Sequence, residues 1–161
     1  MAVTRVYWDS SVFHALFSKE AGRVEKCQRI EQAAQKGLVE IYFSSVSYTE
    51  CVWLKSVERR LSKEHEEVIQ KYFQHKFLKP VTCERSIGEE ARQLLWRYAH
   101  LKPKDAIHVA SALFARVDAM HSYDDDDLVK ISGQIGDPPL RICHPGDESD
   151  FALAIEKTHS T

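Results

Sequence analysis

The stretch Ala119-Met120-His121-Ser122-Tyr123-Asp124-Asp125-Asp126-Asp127-Leu128 joins a short apolar segment to four consecutive carboxylates. Four adjacent negative charges repel one another, and close acidic neighbours would have raised pKa values unless a cation lay among them. A solvated acidic loop is the alternative interpretation of such a run. Fold and function therefore depend on which other acids share the space of this run.

Asp9 is the first of three candidates. The β-branched and aromatic run Val3–Trp8 predicts a buried strand, and the apolar residues that follow Asp9 recur at helical spacing. Asp9 is thus expected at the carboxyl end of a strand, where ligands bind in open α/β sheets. A plain helix N-cap is the alternative role for an aspartate in this place.

Glu50 and Asp105 occupy similar positions further along the chain. A strand predicted over 38–43 leads into a third helix near Glu50, although a serine three residues earlier also matches a capping box. Asp105 lies in the first turn of a predicted helix that is apolar on nearly every side. His108, one turn later, could be a ligand, but a packing histidine is the favoured interpretation, because no second His or Cys stands at metal-ligand spacing.

Length and composition indicate one globular domain of 161 residues, with 43% hydrophobic and 29% charged residues. We expect a cytoplasmic protein, because no apolar run approaches the roughly 20 residues that span a bilayer and the N-terminus lacks a signal-peptide layout. Four widely spaced cysteines without a Cys-x-x-Cys pair predict thiols in a reducing compartment. The predicted domain covers 1–145, followed over 146–161 by a weak helix (Phe151 to Lys157) and a tail.

Charge is distributed unevenly, although the formal net charge is only −2. The segment 55–79 carries seven basic residues against four acids, whereas 118–150 carries nine acids against two basic residues. Separate surfaces could bind a polyanion and cations, although two solvated helix faces of opposite sign would give the same pattern. A helix predicted over 61–78 would place much of the positive charge on an arm that projects from the sheet.

Strands that alternate with helices predict an α/β fold with a mostly parallel sheet and helices on both faces. The loops after parallel strands gather at one edge, so Asp9, Glu50, Asp105 and Asp124 are expected to converge there. A carboxylate cluster without thiolate or imidazole partners prefers Mg²⁺ or Mn²⁺. Such an ion activates water for attack on a phosphodiester, which makes metal-dependent hydrolysis of a nucleic acid backbone the favoured chemistry.

Four segments resemble the acidic motifs of the PIN-domain nucleases in order and spacing. These are Tyr7-Trp8-Asp9-Ser10-Ser11-Val12, Ser45-Val-Ser-Tyr-Thr-Glu50, Lys104-Asp105-Ala-Ile-His-Val-Ala-Ser-Ala-Leu, and His121-Ser-Tyr-Asp124 with Asp127-Leu128. The resemblance covers Val3 to Cys143 and implies a three-layer α/β/α sandwich with a mostly parallel sheet of about five strands. It also implies an endoribonuclease site that uses Mg²⁺ or Mn²⁺.

The resemblance implies five metal-binding acids, of which the first four are also catalytic: Asp9, Glu50, Asp105, Asp124 and Asp127. Ser122 is the hydroxyl residue before the last motif acid, where the family more often has Thr, and Ser10 is a second supporting residue. The alignment within Asp124–Asp127 stays open by one or two positions. The small size is similar to that of VapC-like toxins of toxin–antitoxin pairs, which implies RNA as substrate, an antitoxin protein and a homodimer as partners.

Two other phosphoryl or cation chemistries fit the sequence less well. An aspartyl-phosphate phosphatase would need Asp-x-Asp after the first strand, whereas Asp9 is followed by two serines. An EF-hand would need a glycine and a distant glutamate that the acidic run lacks. The open alternative is a PIN-like fold that acts as a non-catalytic RNA-binding or protein-interaction module, which would have no reason to assemble repelling charges.

Overall fold

A computed structural model describes residues 2–52 and 62–147. Its regular elements are, in chain order, β1 (Thr4–Trp8), α1 (Ser10–Phe17), α2 (Val24–Gln35), β2 (Val39–Ser44), α3 (Ser47–Glu50), α4 (Lys63–Tyr72), β3 (Leu78–Val81), α5 (Arg85–Arg97), α6 (Pro103–Ala115), β4 (Ala119–His121) and β5 (Ile142–Cys143). A short 3-10 turn covers Val129–Ile131. Within the described ranges, no helix combines the length and the apolar character needed to cross a membrane.

The five strands form one parallel sheet in the order β3-β2-β1-β4-β5. The central strand β1 pairs with β2 on one side and with β4 on the other. Because every pairing is parallel, the carboxyl ends of all strands lie at one edge. The crossovers contain α-helices, except the one from β4 to β5, which contains the 3-10 turn. The predicted α/β fold and its sheet of about five strands are confirmed.

Apolar side chains cover both faces of this sheet. Successive residues of β1 point to opposite faces, so Val6 and Trp8 lie in one core and Tyr7 in the other. Phe13 of α1 belongs to the first core, whereas Val109 of α6 belongs to the second. The alternation in β1 therefore places Tyr7 beneath α6.

The helix predicted over 61–78 is wrong in its extent. Helix α4 ends at Tyr72, and the chain returns to the sheet as β3. Residues Leu78–Val81 pair with Ile41–Ser44 of β2, and these hydrogen bonds decide the local structure. Helical spacing of apolar residues continued past Tyr72, but the exposed edge of β2 offered backbone partners that a helix could not use.

Helix α4 also packs on the sheet where an arm projecting from it was predicted. Ile69 and Phe73 are buried in the core that contains Phe13, while Val68 is 65% exposed and lies outside the packing face. The amphipathic stripe thus finds its partner within the same domain. The basic residues at 55–60 and the helix predicted over Phe151 to Lys157 lie outside the described residues.

Candidate active site

Asp9 directly follows β1 and caps helix α1, which is the N-cap role considered for it from the sequence. Its Oδ1 accepts hydrogen bonds from the backbone N–H groups of Ser11 at 3.0 Å and Val12 at 3.3 Å, and also from the Ser11 hydroxyl. Its Oδ2 accepts the hydroxyl of Ser122, which follows β4. Both carboxylate oxygens are therefore engaged, and one of them joins the ends of two neighbouring strands.

Ser122 continues this connection into the acidic run. Its oxygen accepts the Asp124 backbone N–H at 3.0 Å, and Asp124 Oδ1 accepts the Asp127 backbone N–H at 3.0 Å. Leu128 is buried and donates its N–H to the Asp124 carbonyl at 3.1 Å. The run is thus an ordered turn anchored in the core, and Asp125 lies on its exposed side, 2.6 Å from His144 Nε2.

Three aspartates converge beside this turn. One carboxylate oxygen each from Asp105, Asp124 and Asp127 lies within 4.8 Å of the others, and we call this group the three-aspartate cluster. Asp105 is buried in the first turn of α6, where its Oδ2 accepts the Lys102 N–H at 3.3 Å. Burial raises the pKa of Asp105, the Lys102 N–H and the Lys104 charge lower it, and the charges of the other two aspartates raise it, with a net rise. All donors are carboxylate oxygens, the ligands that hard divalent cations prefer.

Glu50 lies at the same edge of the sheet but has its own hydrogen bonds. Oε1 is 2.6 Å from Nε2 of His108, and Oε2 accepts the Ser10 hydroxyl at 3.0 Å. Lys104 Nζ lies 3.9 Å from Oε2. Burial alone would raise the pKa of Glu50, but the hydrogen bonds and positive charge around it prevail, and its pKa lies below the ordinary value. Glu50 is therefore a carboxylate at neutral pH.

The contacts of one histidine and two lysines at this edge were not predicted from the sequence. His108 is buried, as a packing histidine would be, yet both of its ring nitrogens bind polar side chains. Its spacing of three residues from Asp105 on one helix was the available signal. Lys102 and Lys104 flank Pro103 at the helix start, and Lys102 Nζ lies 3.5 Å from Asp127 Oδ2. These exposed ammonium groups form a cationic rim around the acids.

The five predicted acids therefore reach one edge of the sheet in three arrangements. Asp105, Asp124 and Asp127 form the three-aspartate cluster. Asp9 is joined to Asp124 through the hydroxyl of Ser122. Glu50 is connected through side chains of α6, the helix that also carries Asp105.

A family model described as PIN domain matches residues 6–133. The chain belongs to the PIN-domain family. The matched residues extend from β1 through the turn after β4, so this PIN domain includes every acid named above. The resemblance seen in the sequence is confirmed.

Solved structures share the PIN-domain fold at low sequence identity. A toxin–antitoxin complex from Klebsiella pneumoniae is 22% identical with a TM-score of 0.57, over 80% of this chain and 93% of that chain. VapC20 from Mycobacterium tuberculosis, described as a sarcin–ricin loop cleaving toxin, is 15% identical with a TM-score of 0.60, over 75% and 91% of the two chains. VapBC2 from Rickettsia felis, bound to a promoter DNA fragment, is 12% identical with a TM-score of 0.58, over 85% and 98%. A search of curated proteins by sequence found no significant match.

Proposed function

We propose that this PIN domain is an endoribonuclease that hydrolyses RNA phosphodiester bonds with Mg²⁺ or Mn²⁺ bound at the three-aspartate cluster. The observation that carries this proposal is the convergence of Asp105, Asp124 and Asp127 within 4.8 Å. Burial of Asp105 and the charges of Asp124 and Asp127 disfavour the ionised form of Asp105 in the metal-free protein. A divalent cation would offset that repulsion, which gives the arrangement a physical reason to exist.

The side chains in and around the cluster would have different roles in the reaction. Asp105, Asp124 and Asp127 would hold the ion at the cluster, and Asp9 and Glu50, the other two acids predicted to bind metal, would complete the proposed metal-dependent catalytic group. A bound ion supplies a water of lowered pKa and neutralises charge that develops on the phosphate. Asp9 orients the acidic turn through the Ser122 hydroxyl, which binds the Asp124 backbone.

The cationic rim gives the proposed substrate a place to bind. The ammonium groups of Lys102 and Lys104 are exposed and lie within 4 Å of Asp127 and Glu50. An ion at the cluster would weaken these pairs and leave both ammonium groups available to RNA phosphates. Phosphate neutralisation of this kind supplies most of the sequence-independent affinity for a nucleic acid backbone.

A narrower role is supported by the fold likeness and the small domain size. The similar proteins include VapC20, described as a toxin that cleaves the sarcin–ricin loop, and several toxin–antitoxin assemblies. We infer from this likeness that the chain acts in the cytoplasm as the toxin of such a pair, bound by an antitoxin protein and forming a homodimer.

An RNA cleavage assay tests the proposed reaction, with protein from which metal has first been removed by a chelator. The wild-type chain should cut a single-stranded RNA after Mn²⁺ or Mg²⁺ is added and should stop when EDTA is added. Asp105→Asn should abolish cleavage, whereas Asp126→Asn, an equal charge change at an exposed neighbour, should retain it. A protein that binds RNA but neither cuts it nor gains thermal stability from Mn²⁺ would instead be a non-catalytic binding module.

A further inference from the structure

A continuous chain of hydrogen bonds runs from the centre of the sheet to Glu50. The Tyr7 hydroxyl lies 2.7 Å from Nδ1 of His108, and Nε2 of His108 lies 2.6 Å from Glu50 Oε1. The other oxygen of Glu50 accepts the Ser10 hydroxyl at 3.0 Å. Tyr7 is fully buried and His108 is 1% exposed, so water does not compete for the bond between them, whereas the Glu50 carboxylate is partly exposed.

The chemistry of these groups sets the direction of the chain. A carboxylate only accepts hydrogen bonds, so Nε2 of His108 carries the hydrogen that faces Glu50. In the neutral imidazole, Nδ1 then accepts, and the Tyr7 hydroxyl is the donor opposite it. A tyrosine phenol is protonated at neutral pH, so the Tyr7 hydroxyl can fill that role. In a protonated imidazole Nδ1 would donate to Tyr7 instead. In either state Nε2 donates to Glu50, and the bond to Tyr7 holds the ring in that orientation.

Glu50 needs these side-chain contacts because its short helix does little to fix the position of its carboxylate. Helix α3 spans only the four residues Ser47–Glu50, too short to fix a long side chain by itself. A glutamate that adopts a single rotamer loses side-chain conformational entropy, which specific contacts must offset. His108 projects from the 13-residue helix α6, one turn after Asp105. One rigid helix thus bears a cluster aspartate and the group that holds Glu50.

We propose that His108 is a positioning residue, which holds the Glu50 carboxylate at the sheet edge that bears the three-aspartate cluster while Tyr7 fixes the imidazole. This inference rests on the proposed function, which assigns Glu50 to the metal-dependent site. His108 is buried and does not face solvent, so it acts through Glu50 and does not touch RNA. Its loss should reduce turnover and metal affinity and leave RNA binding unchanged.

Two substitutions at one position separate positioning from simple packing. The amide nitrogen of His108→Gln reaches the place of Nε2 and can still donate to Glu50, but the variant loses the acceptor for Tyr7. The shorter amide of His108→Asn lies near the place of Nδ1, so it can bind Tyr7 but cannot reach Glu50. Each variant breaks one buried hydrogen bond, and we expect similar losses of stability from both.

The experiment measures Mn²⁺ affinity by calorimetry and RNA cleavage by steady-state kinetics, with the full chain and both variants. Loss of an outer-shell partner typically weakens metal binding about 10- to 100-fold. His108→Asn should therefore raise the Kd for Mn²⁺ and lower kcat by about tenfold or more at nearly constant KM. His108→Gln should stay within a few-fold of wild type in both quantities.

The outcomes that overturn the proposal are distinct from failure of the proposed function. Equal losses in the two variants, in step with their stability, would make His108 a packing residue, as would wild-type behaviour of His108→Asn. If the wild-type chain binds Mn²⁺ but does not cleave RNA, the proposed function fails. The Mn²⁺ affinities of the two variants then still test whether His108 positions Glu50. In a Glu50→Ala background, His108→Asn should cause no further loss of metal affinity; an additive loss would contradict action through Glu50.

Discussion

Asp105→Asn should make the metal-free protein more stable and remove its response to metal. The cluster oxygens lie within 4.8 Å of one another. Two unit charges at that distance repel by about 1 kcal/mol in water and about 3 kcal/mol at an effective dielectric constant of 20. Asp124 and Asp127 are partly exposed, so the lower part of this range applies to each pair. Relief of two repulsions contributes about 2 kcal/mol. Removal of a buried charge adds to this gain and loss of the attraction to Lys104 subtracts from it, so we expect the free energy of unfolding to rise by about 2 kcal/mol.

The asparagine should keep the local helix start intact, because its carbonyl oxygen can still accept the Lys102 N–H. For a domain of this size, 2 kcal/mol corresponds to a rise in Tm of roughly 4–8 °C. Mn²⁺ at 100 times its Kd should stabilise the wild-type protein by about 2.7 kcal/mol, whereas the variant should gain little. The order of the two melting temperatures should therefore reverse when the ion is added.

Thermal unfolding followed by circular dichroism, with and without Mn²⁺ after treatment with a chelator, measures this reversal. Asp126→Asn is the matched control, since it removes a charge from an exposed residue of the same acidic run. A variant that is less stable than wild type without metal, or that gains as much as wild type from Mn²⁺, would refute the cluster as a cation site.

The stability difference between the wild-type protein and Asp105→Asn should depend on pH. Burial raises the pKa of Asp105 above its ordinary value of 3.8, so the folded protein binds this proton more tightly than the unfolded chain does. The penalty for the ionised carboxylate is fully present above the raised pKa and disappears as the pH falls below the unfolded value. The stability advantage of Asp105→Asn at pH 7 should therefore shrink in acid, as urea denaturation at several pH values would show.

Three further substitutions or modifications test the rest of the fold. Asp9→Asn should lower the free energy of unfolding by about 1–2 kcal/mol in urea titrations, because an amide would replace an oxygen that accepts a buried hydroxyl; a stabilised variant would contradict this. Phe73→Ala should cost about 3 kcal/mol and the exposed control Val68→Ala less than about 0.5 kcal/mol, and equal losses would contradict the packing of α4. A thiol reagent at pH 8 should label exposed Cys83 at once but spare Cys27, whose pKa burial raises to about 11, until denaturant is added, as mass spectrometry of labelled peptides would show.

Local patterns in the sequence were sufficient for the architecture. The run before Asp9 forms a buried strand because its residues favour β structure, and the residues after it form a helix because they repeat at helical spacing. Parallel strands carry the loops at their carboxyl ends to one edge, so acids far apart in sequence could be expected to meet. These properties depend on neighbours in the chain, which is why the sequence by itself determined them.

Contacts between distant residues decided the rest. Helix α4 gives way to β3 because β2 offers backbone hydrogen bonds at its edge. The acidic run contributes Asp124 and Asp127 to the cluster because the turn is anchored by Ser122 and buried Leu128. Four identical side chains in a row do not indicate by themselves which of them face the cluster. His108 meets Glu50 because α6 packs over Tyr7, 101 positions away in the chain. Only tertiary packing could decide these points, since it alone brings donors and acceptors from separate elements within hydrogen-bond distance.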